Sequence, residues 1–279
     1  SEVITTRLGT VEVARRAGLQ ASGHTGGPVL SPALISHGIC GGFDQALTLG
    51  DILNPAQAII APSRFGYLRS PQLLGGTPED QAEAYVALLD AIGIEKVTMI
   101  GVSAGGPSAI HFAAKYPQRC EALILVGAVS QQIRMPWPVE QAQYHLFKKN
   151  YVMWPIARYF RPTLMSILGV EKNVQRQMTD VDQKWFDDLA DTLLPVPPRR
   201  KGFELDFRNV TQLGALPADQ IHIQTLIIHS EDDQLVPARQ SKELQDKIPG
   251  ARLHLYKQGG HLFFGAKPEM RVVIESNIR

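Results

Sequence analysis

Apolar and polar positions recur with two periods along this chain, and each change of period marks an element. Val3 to Arg15 alternates, with a break at Leu8-Gly9-Thr10, which predicts two short strands. A Gly/Ser-rich connection, Gly18 to Pro28, precedes the run Val29 to Ser36, a predicted strand that leads straight into His37-Gly38-Ile39-Cys40-Gly41-Gly42. Asp44 to Leu53 reads as a short helix and Ala56 to Ala61 as a buried strand. Thr77-Pro78-Glu79-Asp80 supplies a hydroxyl N-cap, a proline for the first turn and carboxylates for the positive end of a helix. Ala82, Tyr85, Val86, Leu89 and Ile92 then share one face, and Gly93 is placed to stop the helix. Val97 to Val102 is a β-branched strand, Ala109 to Tyr116 a helical stretch, and Ala122 to Val126 another strand. Strand patterning then vanishes from Ser130 to Leu216, where helical patches are separated by Pro136, Pro138, Pro155, Pro162, Pro195, Pro197 and Pro198. It returns with Thr225 to His229, a helix over 238–248, a strand from Arg252 to Tyr256 and a closing helix from Pro268 to Ile278.

Strands that alternate with helices predict an α/β fold with a largely parallel sheet covered on both faces. The strandless block interrupts that rhythm. The expected division is a core of residues 1–129 and 217–279 with an inserted helical cap, 130–216.

Composition narrows the function classes. Hydrophobic residues are 44% and charged residues 20% of 279, ordinary for a globular enzyme. A formal net charge of +1 offers no overall field for nucleic acid or an anionic membrane. The two charge-free stretches, Ala17 to Phe43 and Val97 to Ala114, are interrupted by Gly, Pro, Ser and His, so no membrane span is expected. Two cysteines, Cys40 and Cys120, make no disulfide framework and suit a reducing compartment. No basic-then-apolar leader follows Ser1-Glu2-Val3, so the expectation is cytoplasmic; the absent initiator Met leaves the start open to trimming.

The candidate chemistry centres on Gly101-Val102-Ser103-Ala104-Gly105, a G-x-S-x-G turn between a strand and a helix. Such a turn pushes the serine hydroxyl clear of the sheet. A hydroxyl is a poor nucleophile until a base takes its proton, a carboxylate orients the base, and donors receive the oxyanion. A central elbow implies the chain order Ser, Asp, His. Glu231, Asp232 and Asp233 follow a strand; Asp233 is chosen because Gln234-Leu235-Val236-Pro237 leads from it into the next helix, with Asp232 as the reserve. His261 follows the last strand, and Gly259-Gly260 frees its loop to aim the imidazole. His229 and His254 lie in or beside strands and read as packed histidines; His37 reads as part of a turn. The expected oxyanion donors are the backbone N–H groups of Ala104 and Ile39, with Cys40 next.

With these pieces the sequence resembles the α/β-hydrolase superfamily over nearly its whole length, on His37-Gly38-Ile39, Gly101 to Gly105, Asp233 with Val236-Pro237, and Gly260-His261. The resemblance implies an eight-stranded, mostly parallel sheet with a helical cap after strand six, an acyl-enzyme that water hydrolyses, and no metal or organic cofactor. Haloalkane dehalogenases and epoxide hydrolases place Asp where this chain has Ser103. Hormone-sensitive-lipase-like esterases carry His-Gly-Gly-Gly where this chain has His37-Gly38-Ile39-Cys40, and plant hydroxynitrile lyases carry Thr in place of Gly38.

Seven aromatics crowd the stretch from Trp137 to Phe160, which predicts an apolar roof over Ser103 for an acyl or aryl group. Cys40, Trp137, Phe147, Trp154 and Leu235 are the expected pocket residues. Lys148, Lys149, Arg158 and Arg161 read as a solvated face, and Arg199-Arg200-Lys201 as an exposed loop. The expected activity is a carboxylesterase acting on a small-molecule ester, as a monomer or homodimer. A carbon–carbon hydrolase of ring-fission products is the enzymatic alternative, perhydrolysis an expected side reaction, and a ligand receptor on the same fold the non-enzymatic one.

Overall fold

The computed structural model describes residues 1–18, 31–53 and 57–277. The Gly/Ser-rich connection therefore lies almost wholly outside the described residues. The N-terminal half runs β1 (Glu2–Thr6), β2 (Gly9–Arg16), β3 (Ala33–Ser36), α1 (Phe43–Leu53), β4 (Ile59–Pro62), α2 (Pro78–Ala91), β5 (Val97–Val102), α3 (Gly106–Lys115) and β6 (Cys120–Val126). Six helices follow: α4 (Trp137–Lys148), α5 (Asn150–Tyr159), α6 (Arg161–Ile167), α7 (Lys172–Gln175), α8 (Asp180–Asp191) and α9 (Arg200–Thr211). The chain closes with β7 (Gln224–Ser230), α10 (Arg239–Lys247), β8 (Arg252–Tyr256) and α11 (Lys267–Asn277).

The eight strands form one sheet in the order β1-β2-β4-β3-β5-β6-β7-β8. β2 pairs antiparallel with both β1 and β4, and every other pairing is parallel. β3 and β4 are buried along their whole length, and β5, β6 and β7 almost so. This is why they read as unbroken apolar runs: a strand covered on both faces has no solvent side for polar residues. The α2 start behaves as its residues dictate. Thr77 Oγ1 accepts from the Asp80 N–H at 3.1 Å, Asp80 Oδ2 accepts from the Thr77 N–H at 3.0 Å, and Gly93 takes a φ of +69° just past the helix end.

One core, with Tyr85, Leu88, Phe112 and Leu244, lies between the sheet and α2, α3 and α10. A second, with Ile35, Ile124, Met270 and Ile274, lies under α1 and α11. A third is built almost entirely within the inserted stretch, from residues such as Phe147, Met153, Leu164, Phe186 and Phe203, and meets Cys40 and Phe264 of the sheet portion. Because β5, β7 and β8 run the same way, the loops that leave their C-terminal ends share one edge of the sheet. Ser103, Asp233 and His261 stand on those three loops.

Candidate active site

Ser103 follows β5 directly and holds φ at +51°, a left-handed conformation that costs a non-glycine residue about 1–2 kcal/mol. The flanking glycines make the turn possible. A Cβ at Gly105 would fall on the Ser36 carbonyl oxygen, and one at Gly101 would sit 2.6 Å from the Ala109 Cβ and 3.1 Å from the Gly106 Cα. The Ser103 carbonyl is tied down by the Val129 N–H at 2.9 Å.

The hydroxyl of Ser103 lies 3.0 Å from His261 Nε2, and His261 Nδ1 lies 2.7 Å from Asp233 Oδ2. An ionised carboxylate only accepts, so Nδ1 carries the imidazole proton and Nε2 is left to accept from Ser103. Asp233 is held on every side. Its Oδ1 accepts from the N–H groups of Leu235 at 2.8 Å and Val236 at 2.9 Å, and its Oδ2 lies 3.2 Å from His229 Nε2. Burial alone would raise its pKa. The positive charge that His261 can carry, with hydrogen bonds from His229 and His261, outweighs burial and holds the carboxyl well below the usual range. His229 is fully buried; its Nδ1 accepts from Ser241 Oγ at 2.6 Å, and its single Nε2 proton is shared between the Val236 carbonyl at 2.9 Å and Asp233 Oδ2 at 3.2 Å.

Asp232, the reserve acid, faces elsewhere. Its carboxylate accepts from Gly260 N–H at 2.9 Å, Gly259 N–H at 3.1 Å and Ser230 Oγ at 2.5 Å. It thus fastens the loop that carries His261, and the structure brings it to the backbone of that loop, not to the imidazole.

Ile39 and Ala104, the expected oxyanion donors, both line a cavity that opens at Ser103. Cys40 does not share that role, because its N–H donates to Tyr67 Oη at 3.0 Å. Its thiol is buried, which pushes its pKa far up, and it borders a separate small cavity. His37 is neutral in this loop. The Arg64 N–H donates to its Nε2 at 3.0 Å, so the ring proton sits on Nδ1 and reaches the Gly38 carbonyl at 2.7 Å; burial, first, and the nearby Arg64 charge drive its pKa well down.

Two cavities meet at Ser103. The inner one is walled by Ile39, Leu49, Val102, Leu168, Trp185, Leu189, Leu193, Leu235, Leu262, Phe263 and Met270, with Gln45 the amide among them, and none of its described residues is Asp, Glu, Lys or Arg. The outer one is lined by Ala104, Phe147, Phe207, Val210 and Leu235, and by Gln131, Arg134, Gln143, Arg239 and Gln240. Of the expected pocket residues, Leu235 and Phe147 therefore face these spaces.

Trp137, Trp154 and Cys40 do not, which corrects the roof drawn from the aromatic run. Trp137 is 72% exposed and Trp154 45% exposed, stacked edge-on against Tyr159. The inner wall comes instead from the apolar face of α8 and the residues after it, Trp185, Leu189 and Leu193, and from Leu168 after α6. Aromatic density along the chain carries no direction. The signal that points inward is the helical spacing of Trp185, Phe186, Leu189, Ala190 and Leu193.

The chain pattern also leaves out a buried network beneath Ile39. Both terminal guanidinium nitrogens of Arg64, Nη1 and Nη2, reach the Asp206 carboxylate of α9, the first at 2.7 Å, and Tyr67 Oη donates to the same carboxylate at 2.6 Å. Arg64 also donates to the Gly38 carbonyl at 3.2 Å. Arg199, read as an exposed loop residue, is 3% exposed; it donates to the Gly41 carbonyl at 2.6 Å and pairs with Asp44. Arg199 and Asp206, just before and within α9, thus tie that helix to residues 38–44, the first directly and the second through Arg64 and Tyr67. Tyr67→Phe removes the hydroxyl that joins Asp206 to Cys40 N–H and leaves that buried donor without a partner. A stability loss of about 1–3 kcal/mol is expected, read from the denaturant midpoint. Turnover should fall with little change in KM if Ile39 is the oxyanion donor expected from the sequence, because the disturbance reaches its loop and leaves the cavity walls alone.

Comparison with known proteins places these features. A family model described as alpha/beta hydrolase fold matches residues 32–268. An uncharacterized hydrolase of Bacillus subtilis (strain 168) is 28% identical over 85% of this chain and 87% of its own length. A 2-hydroxymuconate semialdehyde hydrolase of Pseudomonas putida is 27% identical over 82% of this chain and 80% of its own. An alpha/beta hydrolase fold protein from Nakamurella multipartita superposes with a TM-score of 0.81 at 24% identity, covering 99% of this chain and 98% of that one.

Proposed function

The chain belongs to the alpha/beta hydrolase fold family, and on that premise we propose that it is a serine hydrolase acting at a carbonyl carbon, with Ser103 as nucleophile, His261 as base and Asp233 as orienting acid. The observation that carries this reading is the unbroken line Ser103 Oγ, His261 Nε2, His261 Nδ1, Asp233 Oδ2 at 3.0 and 2.7 Å. His261 takes the proton as Oγ attacks the carbonyl, and the N–H groups of Ala104 and Ile39 receive the oxyanion. His261 then returns the proton to the leaving group, and water repeats the sequence on the acyl-enzyme.

The inner pocket supports an apolar acyl or aryl group and hence a carboxylic ester. Among the described residues its wall offers no Lys or Arg, so a carboxylate there would lose its hydration with no permanent cation as partner. The second reading is hydrolysis of a carbon–carbon bond in a ring-fission product. It has the better support among the relatives: the Pseudomonas putida protein is named for a conjugated semialdehyde that bears a carboxylate. Arg134 and Arg239 in the outer cavity are the groups that could hold such a carboxylate.

Rates on p-nitrophenyl acetate, butyrate and longer esters, set against a ring-fission diketone, separate the two. Ester turnover that rises with acyl length and no cleavage of the diketone supports the first; the reverse order supports the second. Labelling with a fluorophosphonate and mapping the adduct tests both at once, and an adduct anywhere but Ser103 overturns the nucleophile. Leu189→Trp fills the inner pocket. Hexanoate turnover should then fall by about tenfold or more relative to acetate, since each methylene in such a pocket is worth about 1–3 kcal/mol. An unchanged ratio removes the acyl group from that pocket.

A further inference from the structure

Helix α5 presents an apolar face on both sides. Met153 and Ala157 are buried in the core of the inserted helices, as expected of an amphipathic helix. Its opposite stripe should be polar. Instead Tyr151 is 74% exposed, Trp154 45%, Tyr159 68% and the following Phe160 56%. Lys149 and Arg158 are exposed in the same stretch, and Lys149 Nζ lies 6.0 Å from the centre of the Tyr151 ring.

The charge carried by this stretch of chain is one-sided, although acids of α8 and α9 answer two of its cations. Between Gln141 and Val170 there are four lysines and arginines and no aspartate or glutamate, in a chain whose net charge is +1. Lys148 is taken by Glu204 at 2.8 Å, and Arg161 faces Asp191 at 3.2 Å and Asp187 at 3.5 Å. Lys149 and Arg158 are the cations that accompany the outward aromatics. Aromatic rings that combine an apolar body with a polar edge, set among long cationic side chains, are the composition that settles at the boundary between water and anionic headgroups.

We propose that the outward face of α5 is a docking site for the surface of an anionic phospholipid bilayer. Charge complementarity selects this occupant over a second copy of the chain, whose own Lys149 and Arg158 would be brought against their equals. The face is also well placed for the chemistry. α5 lies between α4 and α6, whose residues Phe147 and Ile167 line the outer cavity that leads to Ser103. Docking would therefore hold the cavity close to a reservoir of apolar substrate, but the site itself does not depend on which bond is hydrolysed.

The test is flotation of the whole chain with vesicles of equimolar phosphatidylglycerol and phosphatidylcholine, beside vesicles of phosphatidylcholine alone. The protein should float with the anionic vesicles, lose most of that binding in high salt, and bind the neutral vesicles weakly. Lys149→Glu/Arg158→Glu should weaken binding by about tenfold or more. Tyr151→Ser/Tyr159→Ser should weaken it on anionic vesicles at both salt concentrations. Both variants should keep wild-type hydrolysis of a soluble p-nitrophenyl ester, which shows that they fold. Absence of binding to anionic vesicles, or binding that neither variant weakens, overturns the proposal. So does a lipid-free dimer in sedimentation equilibrium that Tyr151→Ser/Tyr159→Ser dissociates.

Discussion

Ser103→Ala is expected to lower kcat on any activated ester by about 10³-fold or more, with the fold and its unfolding transition preserved. The hydroxyl is the only group removed, and its partner His261 Nε2 keeps its place through Asp233. A companion variant separates chemistry from stability. Ser103 stands at φ +51°, where a side chain is strained and glycine is not. Ser103→Gly should therefore abolish turnover equally while raising stability by up to about 1 kcal/mol, visible as a higher melting temperature. If Ser103→Ala keeps wild-type turnover, the nucleophile lies elsewhere; if Ser103→Gly melts lower than wild type, the turn is not storing strain.

Asp233→Asn carries the second large effect, a loss in kcat on the order of 10³–10⁴-fold. An amide at this position can donate to His261 Nδ1 and so favour the tautomer with its proton on Nε2, which cannot accept from Ser103. Asp232→Asn should cost far less, since it loosens Gly259 and Gly260 without touching the imidazole. A larger loss for Asp232→Asn than for Asp233→Asn overturns the assignment. The two variants also differ in acid. The Asp233 carboxyl is held below its ordinary range, so the stability it contributes is present above about pH 4 and is lost as pH falls toward its folded-state value. Asp233→Asn should flatten the acid side of the stability profile; a profile that falls as steeply as wild type contradicts the environment described for this carboxylate.

How much of this was legible in advance differs by residue. Ser103 is readable because its turn needs small neighbours at fixed offsets, and Gly101 and Gly105 are local facts about backbone clearance. His261 is readable because a parallel sheet sends the loops after its strands to one edge. Asp232 and Asp233 are adjacent carboxylates with the same loop context, and only the direction of each side chain separates the group that faces an imidazole from the one that holds a backbone. The Arg64–Asp206 pair joins residues 142 positions apart, and no local pattern announces it. Arg199 looks like its exposed neighbours Arg200 and Lys201 until its partners, Gly41 and Asp44, are known.

The aromatic run marks the same boundary. Seven rings within 24 residues identify a stretch rich in apolar area, but an α-helix distributes them around its axis, and α5 turns three of them outward. The sequence by itself determined the alternation of buried strands with helices, the strained serine turn and the order of the three polar residues, because each depends on neighbours within a turn or two or on the direction of a strand. The tertiary structure alone decided which carboxylate meets the imidazole, which helix walls the inner pocket and which aromatic face stays in water. Those outcomes depend on side-chain direction and on contacts between segments far apart in the chain, and periodicity within a segment holds no information about what packs against it.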